Sequence, residues 1–131
     1  MCNEYRNRKT VHRLIEQLEA LGLAPSFPQG VPNVAPTDSI RITDRAPIIR
    51  NGDGCSQLEM MRWSWPGPKG APVFNFRSDG RRFDRAQRCL IPADGFYEFT
   101  APKDTKSKRK DKWLFTLKDA ELFAIAGIWR A

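Results

Sequence analysis

The chain has 131 residues, 40% hydrophobic and 11% aromatic, which suits a single small domain with a buried core. No apolar run reaches membrane-span length, no apolar h-region precedes the second residue, and one histidine with three scattered cysteines lacks the ligand pairs of a structural zinc site. Lysine and arginine total 22 against 15 acids, for a net charge of +7 and a pI near 9.7, a balance that fits a polyanionic partner such as nucleic acid without identifying one.

The first element is the terminus itself, Met1-Cys2-Asn3. A small side chain after the initiator allows Met1 to be removed, leaving Cys2 with a free α-amine beside its thiol. On position alone, a compact apolar side chain at a frayed end is the plainer reading. Cys2, Cys55 and Cys89 are odd in number and form no C-x-x-C pair. They argue against a disulfide framework and for a reducing, cytoplasmic setting.

Val11, Leu14, Ile15, Leu18 and Leu21 recur at helical spacing, with Thr10 as N-cap and Gly22 as the stop. His12 lies on the flank with Glu16 and Glu19 and reads as a surface histidine paired with acids. Residues 25–37 carry four prolines and predict an ordered, extended arm. Strands are expected at 40–43, 47–50 and 58–63, with Asn51-Gly52-Asp53-Gly54 turning the chain before the third.

The Trp63–Gly70 stretch sets two tryptophans beside a Pro/Gly loop. One is expected in the core; the other, Trp65, is a candidate for stacking on an unpaired base. A strand at 73–76 is followed by Arg77, Arg81, Arg82, Arg85 and Arg88, which read either as a solvated turn or as a phosphate track. In the run Arg88 to Phe99, two apolar strands flank Pro92-Ala93-Asp94-Gly95. Glu98 falls among aromatics, on the Phe96 face, where an unpaired carboxylate is costly and a cleft carboxylate suits acid–base work. Lys103 to Lys112 predicts a basic hairpin loop. The segments 113–117 and 122–129 predict a final hairpin around Lys118–Glu121, its second strand central and buried. A central strand so close to Ala131 points to a chain cut from a longer protein.

Met1-Cys2, Asn33-Val34-Ala35-Pro36-Thr37, Met61-Arg62-Trp63, Asn75-Phe76-Arg77-Ser78, the block from Arg88 to Phe99, and Phe123 to Trp129, in that order, resemble the SOS-response-associated peptidase (SRAP) family. The resemblance spans nearly the whole chain. It implies one α+β domain over 1–131, incomplete at its C-terminus, with a curved, barrel-like, mainly antiparallel sheet, a flanking N-terminal helix and a basic groove for single-stranded DNA. It further implies loss of Met1 by self-cleavage and a thiazolidine link from Cys2 to the ring-opened aldehyde of an abasic site. Cys2 matches the nucleophile, Asn75 the asparagine that positions the terminus and opened sugar, and Glu98 the acid–base glutamate. Arg77 matches a phosphate contact, and Arg6, Arg81, Arg82, Arg85 and Trp65 join it as candidate DNA contacts. The implied partner is abasic single-stranded DNA, met by a cytoplasmic, nucleoid-associated monomer with no membrane, metal or cofactor.

Two departures stand out. Where the family usually continues Cys-Gly-Arg, this chain has Cys2-Asn3-Glu4-Tyr5-Arg6, so Arg6 is left as the substitute cation. The family's later segment, with its threonine-rich strand and active-site histidine, has no counterpart here, and His12 does not replace it. A non-catalytic basic module that binds single-stranded nucleic acid is therefore the competing reading. A thiol peptidase acting on other proteins finds no support in the cysteine–histidine spacing.

Overall fold

Thr10 opens the helix as its spacing predicts. The structure, a computed structural model describing residues 2–131, places α1 at Val11–Ala20, with the Thr10 hydroxyl accepting from the Arg13 amide at 3.3 Å. Gly22 takes a left-handed φ of 75°. It donates to the Glu19 carbonyl while Leu23 donates to that of Leu18, so the last carbonyls are satisfied as the helix stops. Leu14 and Leu18 are buried, but Leu21 falls at the cap and is 74% exposed. His12 is exposed, and Glu16 pairs with Arg13 at 2.9 Å. Removal of Met1 lies outside the described residues.

The strands are β1 (Glu4–Asn7), β2 (Thr37–Arg41), β3 (Arg45–Gly52), β4 (Cys55–Arg62), β5 (Trp65–Pro66), β6 (Pro72–Val73), β7 (Arg88–Ala93), β8 (Gly95–Thr100), β9 (Asp111–Phe115) and β10 (Phe123–Ile128). They pair antiparallel in two four-stranded sheets, β2-β1-β8-β9 and β10-β7-β3-β4, with β5 and β6 as a short ribbon. The α+β, antiparallel class stands. A barrel needs an unbroken ladder around its circumference, and these sheets are not closed into one. The chain crosses from one to the other at Asp94, between β7 and β8.

That crossing also corrects the expected last hairpin. β9 follows β8 into the first sheet and β10 follows β7 into the second, so segments adjacent in sequence do not pair. β10 is an edge strand, with Ala124 and Ala126 exposed, and not the central strand its apolar run implies. The basic loop does form a hairpin connection, between β8 and β9. The Asn51–Gly54 turn joins β3 to β4, with Asp53 and Gly54 both at positive φ as a tight hairpin requires. The 73–76 strand shrinks to β6.

Helix and sheets form three layers. Tyr5, Ile40, Ala46 and Ala93 fill the space between the sheets, with Trp63, Ile91 and Phe96 against them. Leu18, Ile49 and Leu58 join α1 to the far face of the β3–β4 sheet. Truncating a buried leucine such as Leu14 to alanine costs about 2–5 kcal/mol in such a setting. The proline arm is pinned to β4, with the Ser26 amide on the Ser56 carbonyl at 2.7 Å and the Leu58 amide on the Ser26 carbonyl at 3.0 Å. No helix among the described residues is long and apolar enough to cross a membrane.

Candidate active site

β1 carries the terminus to the edge of the inter-sheet space. Its ladder with β8 consists of Tyr5↔Phe96 and Arg6↔Gly95, and with β2 it includes Glu4↔Arg41. The Cys2 thiol, half-buried, donates to the Glu4 carbonyl at 3.2 Å. Asn75, 73 residues away, donates its side-chain amide to the Cys2 carbonyl at 2.7 Å.

Burial pushes the Cys2 thiol above its ordinary pKa and the nearby Glu98 charge adds to the rise, against the pull of backbone hydrogen bonds at Glu4 and Tyr97. Cys2, Asn75 and Glu98 thus share one neighbourhood. Cys89 is buried, its thiol pushed up to about 11 by that burial, and Cys55 is exposed on the β3–β4 turn; neither is near the Cys2 cluster by any hydrogen bond described.

The candidate DNA contacts divide. Arg6 is turned inward: its Nε donates to Asp94 at 2.6 Å, with the two side chains 16% and 7% exposed, and Asp94 also accepts the Arg8 amide at 2.7 Å. In the fold Arg6, the substitute cation of the resemblance, is paired with Asp94. Arg77, Arg81, Arg82 and Arg85 are exposed, the last on a short 3-10 turn, Arg85–Gln87. Arg81 lies over the Phe76 ring at 5.8 Å. Trp63 is the packed tryptophan, edge-on to Tyr5 at 5.3 Å, its Nε1 donating to the Phe74 carbonyl at 3.1 Å.

Trp65 is half-covered. Phe76 tilts against it at 5.4 Å and the Arg130 guanidinium lies 4.6 Å from its ring centroid. Phe76 in turn meets Phe83 edge-on at 6.0 Å. These aromatics line a groove of about 920 Å³ whose rim includes Arg81, Arg82 and Arg88. Aromatic faces for bases beside cations for phosphates are what single-stranded nucleic acid requires of a surface. Among the described residues, no group of three or more His, Cys, Asp or Glu side chains is placed to hold a metal ion.

Sequence reasoning missed three residues here. Asp94 sat in the most informative motif, yet its partner Arg6 is 88 positions away. Glu4 was legible only as a departure, and Lys112 only as one charge in a basic loop. Both belong to the terminus: Lys112 Nζ lies 2.6 Å from the Glu4 carboxylate.

Comparison with known proteins agrees over the full length. Residues 1–131 match the family described as SOS response associated peptidase (SRAP). The chain is 30% identical over 146 aligned positions to the abasic site processing protein YoaM of Bacillus subtilis (strain 168), covering 98% of this chain and 59% of YoaM. With YobE of the same organism, also named an abasic site processing protein, identity is 32% over 110 positions, covering 74% of this chain and 46% of YobE. In fold it is similar to the crystal structure of a phage-related protein from Bordetella bronchiseptica, with a TM-score of 0.72 at 20% identity, covering 98% of this chain and 62% of the other. A protein from Bacteroides thetaiotaomicron gives a TM-score of 0.63 at 16% identity, covering 97% of this chain and 59% of the other. The chain thus spans about three fifths or less of the length of these relatives.

Proposed function

The chain belongs to the SRAP family, and from that membership we propose that it recognises abasic sites in single-stranded DNA and links to them covalently through Cys2 once Met1 has been removed by self-cleavage. The observation that carries the proposal is the Asn75 side-chain amide on the Cys2 carbonyl at 2.7 Å, with the Glu98 charge close enough to act on the thiol. The relatives YoaM and YobE, named for abasic-site processing, support it.

The chemistry follows from the two groups of an N-terminal cysteine. An α-amine with a pKa of about 7.7 to 8.0 is partly free base at neutral pH and attacks the aldehyde of the opened sugar. The resulting carbinolamine loses water to give an imine. Glu98 protonates the departing oxygen, so that water leaves and the imine forms as an iminium that keeps its N–H; Glu98, now ionised, takes up the thiol proton as sulfur adds to the iminium carbon, and ring closure releases nothing further. Amine and thiol stand on neighbouring carbons, so closing the five-membered thiazolidine has the advantage of an intramolecular step. Asn75 fixes the Cys2 carbonyl while this happens. Arg77, Arg81, Arg82 and Arg85 neutralise phosphates, and Trp65 offers a stacking face. In this reading residues 1–131 belong to one SRAP-like domain, incomplete at its C-terminus, of a monomer working in the cytoplasm on exposed single strands.

The test is a single-stranded oligonucleotide carrying one abasic site, mixed with the chain and resolved under denaturing conditions. A retarded band that survives detergent, requires the lesion and is lost in Cys2→Ala is the predicted result. Reversible, salt-sensitive binding that ignores both the lesion and Cys2→Ala would instead make this a non-catalytic nucleic-acid-binding module.

A further inference from the structure

The backbone pairing of β1 with β8 is given by Tyr5↔Phe96 and Arg6↔Gly95, so it does not itself reach Cys2. Beyond that pairing the Tyr97 backbone of β8 bonds the Cys2 thiol, and the Glu4 side chain, 6% exposed, adds a tie of its own: its Oε1 accepts from Ser39 on β2 and from Lys112 on β9, both at 2.6 Å. Arg41 stands 3.8 Å from the same oxygen. In the sheet order β2-β1-β8-β9, Lys112 reaches Glu4 across β8, its ammonium 4.1 Å from the centroid of the Tyr97 ring. Tyr97 is itself tied to β2, donating its hydroxyl to the Asp38 carbonyl at 2.7 Å.

Glu4 therefore joins two tasks in one residue. Its carbonyl accepts the Cys2 thiol, and its carboxylate is braced from both sides of β1. Burial alone raises the Glu4 pKa, but the Lys112 ammonium, with Ser39 and Arg41, outweighs it and holds the group below its ordinary value. Lys112 is neutralised at short range by a buried carboxylate and seated on an aromatic face. Lys112 is itself 40% exposed, yet a phosphate would have to displace that carboxylate to use it.

We propose that the Glu4–Lys112 pair is a clamp that holds the Cys2 terminus in place beside β8, with Lys112 a positioning residue for the reaction. Only its kinetic consequence rests on the abasic-site reading above. Loss of the clamp lets the two nucleophiles wander, and small misplacements of reacting groups cost large factors in rate.

The test compares Lys112→Met with Lys112→Arg. For Lys112→Met, single-turnover crosslinking to the abasic oligonucleotide should slow by about tenfold or more. Affinity for the same oligonucleotide without the lesion should be unchanged, and hydrogen exchange at the Asn3 and Glu4 amides should accelerate; Lys112→Arg should restore both rate and protection. A loss of affinity that accounts for the loss of rate would make Lys112 a phosphate contact and overturn the clamp. Unchanged rate and exchange would overturn it equally. If the wild-type chain forms no crosslink, the abasic-site reading fails by itself, and exchange alone decides: faster exchange at Asn3 and Glu4 in Lys112→Met upholds the clamp, unchanged exchange refutes it.

Discussion

The terminus and the arginine loop are built to different tolerances. Around Cys2, Glu4, Tyr5, Asn7 and Asp94 are all buried, and Asp94, Asn75, Ser39 and Lys112 tie β1 to its surroundings by side-chain bonds of 2.6 to 2.7 Å. From Arg77 to Arg85 the arginines are exposed. Local turns hold that loop, such as the Asp84 carboxylate on the Ala86 amide at 2.9 Å. The contrast follows from the forces involved. Bond formation depends on reacting atoms being placed within a fraction of an ångström, whereas attraction to a phosphate backbone needs charge in roughly the right region and tolerates slack.

The contrast breaks most visibly at Asp94. Asp94→Ala leaves the partly buried Arg6 without its carboxylate and removes the acceptor for the Arg8 amide, so urea denaturation should show a loss of about 3 kcal/mol, with crosslinking falling alongside it. A loss under about 1 kcal/mol would mean the terminus is no more tightly built than the loop. Joint replacement of Arg81, Arg82 and Arg85 by alanine should do the reverse. Stability should stay within about 0.5 kcal/mol, while the slope of log affinity against log salt for single-stranded DNA should flatten by about 0.7 per phosphate contact removed.

A finer probe is Glu98→Gln. The Glu98 carboxylate raises the Cys2 thiol pKa, so removing its charge should move the pH profile of Cys2 alkylation to lower pH. Iodoacetamide labelling of a Cys55→Ser background reads this cleanly, because Cys89 is buried with its thiol pushed up to about 11. A profile that does not move would place Glu98 too far from Cys2 for the proton transfers assigned to it.

Local signals in the sequence carried well. Thr10, the Leu14/Leu18 stripe and Gly22 mark α1 because capping and periodicity act over a few residues, and Asp53-Gly54 marks its hairpin for the same reason. Strand order did not carry. Lys118–Glu121 looks like a hairpin turn, yet β9 and β10 part company because each follows a partner already separated at Asp94. At the site, the link between Cys2 and Asn75 came through resemblance, since no spacing predicts a bond across 73 residues. Arg6 shows a different gap. Its charge and nearness to the terminus suggest a phosphate contact, and only the fold reveals Asp94 beneath it. Glu4 and Lys112, 108 residues apart, form an ion pair that neither residue announces alone.

Crosslinking as proposed depends above all on Cys2 acting with both of its nucleophiles. Intact-mass spectrometry of the chain after incubation with an abasic oligonucleotide tests this directly. A free chain lacking Met1, and an adduct equal to chain plus oligonucleotide less one water that disappears in Cys2→Ala, is the predicted result. A chain that keeps Met1 and forms no adduct, or an adduct that persists in Cys2→Ala, would contradict it.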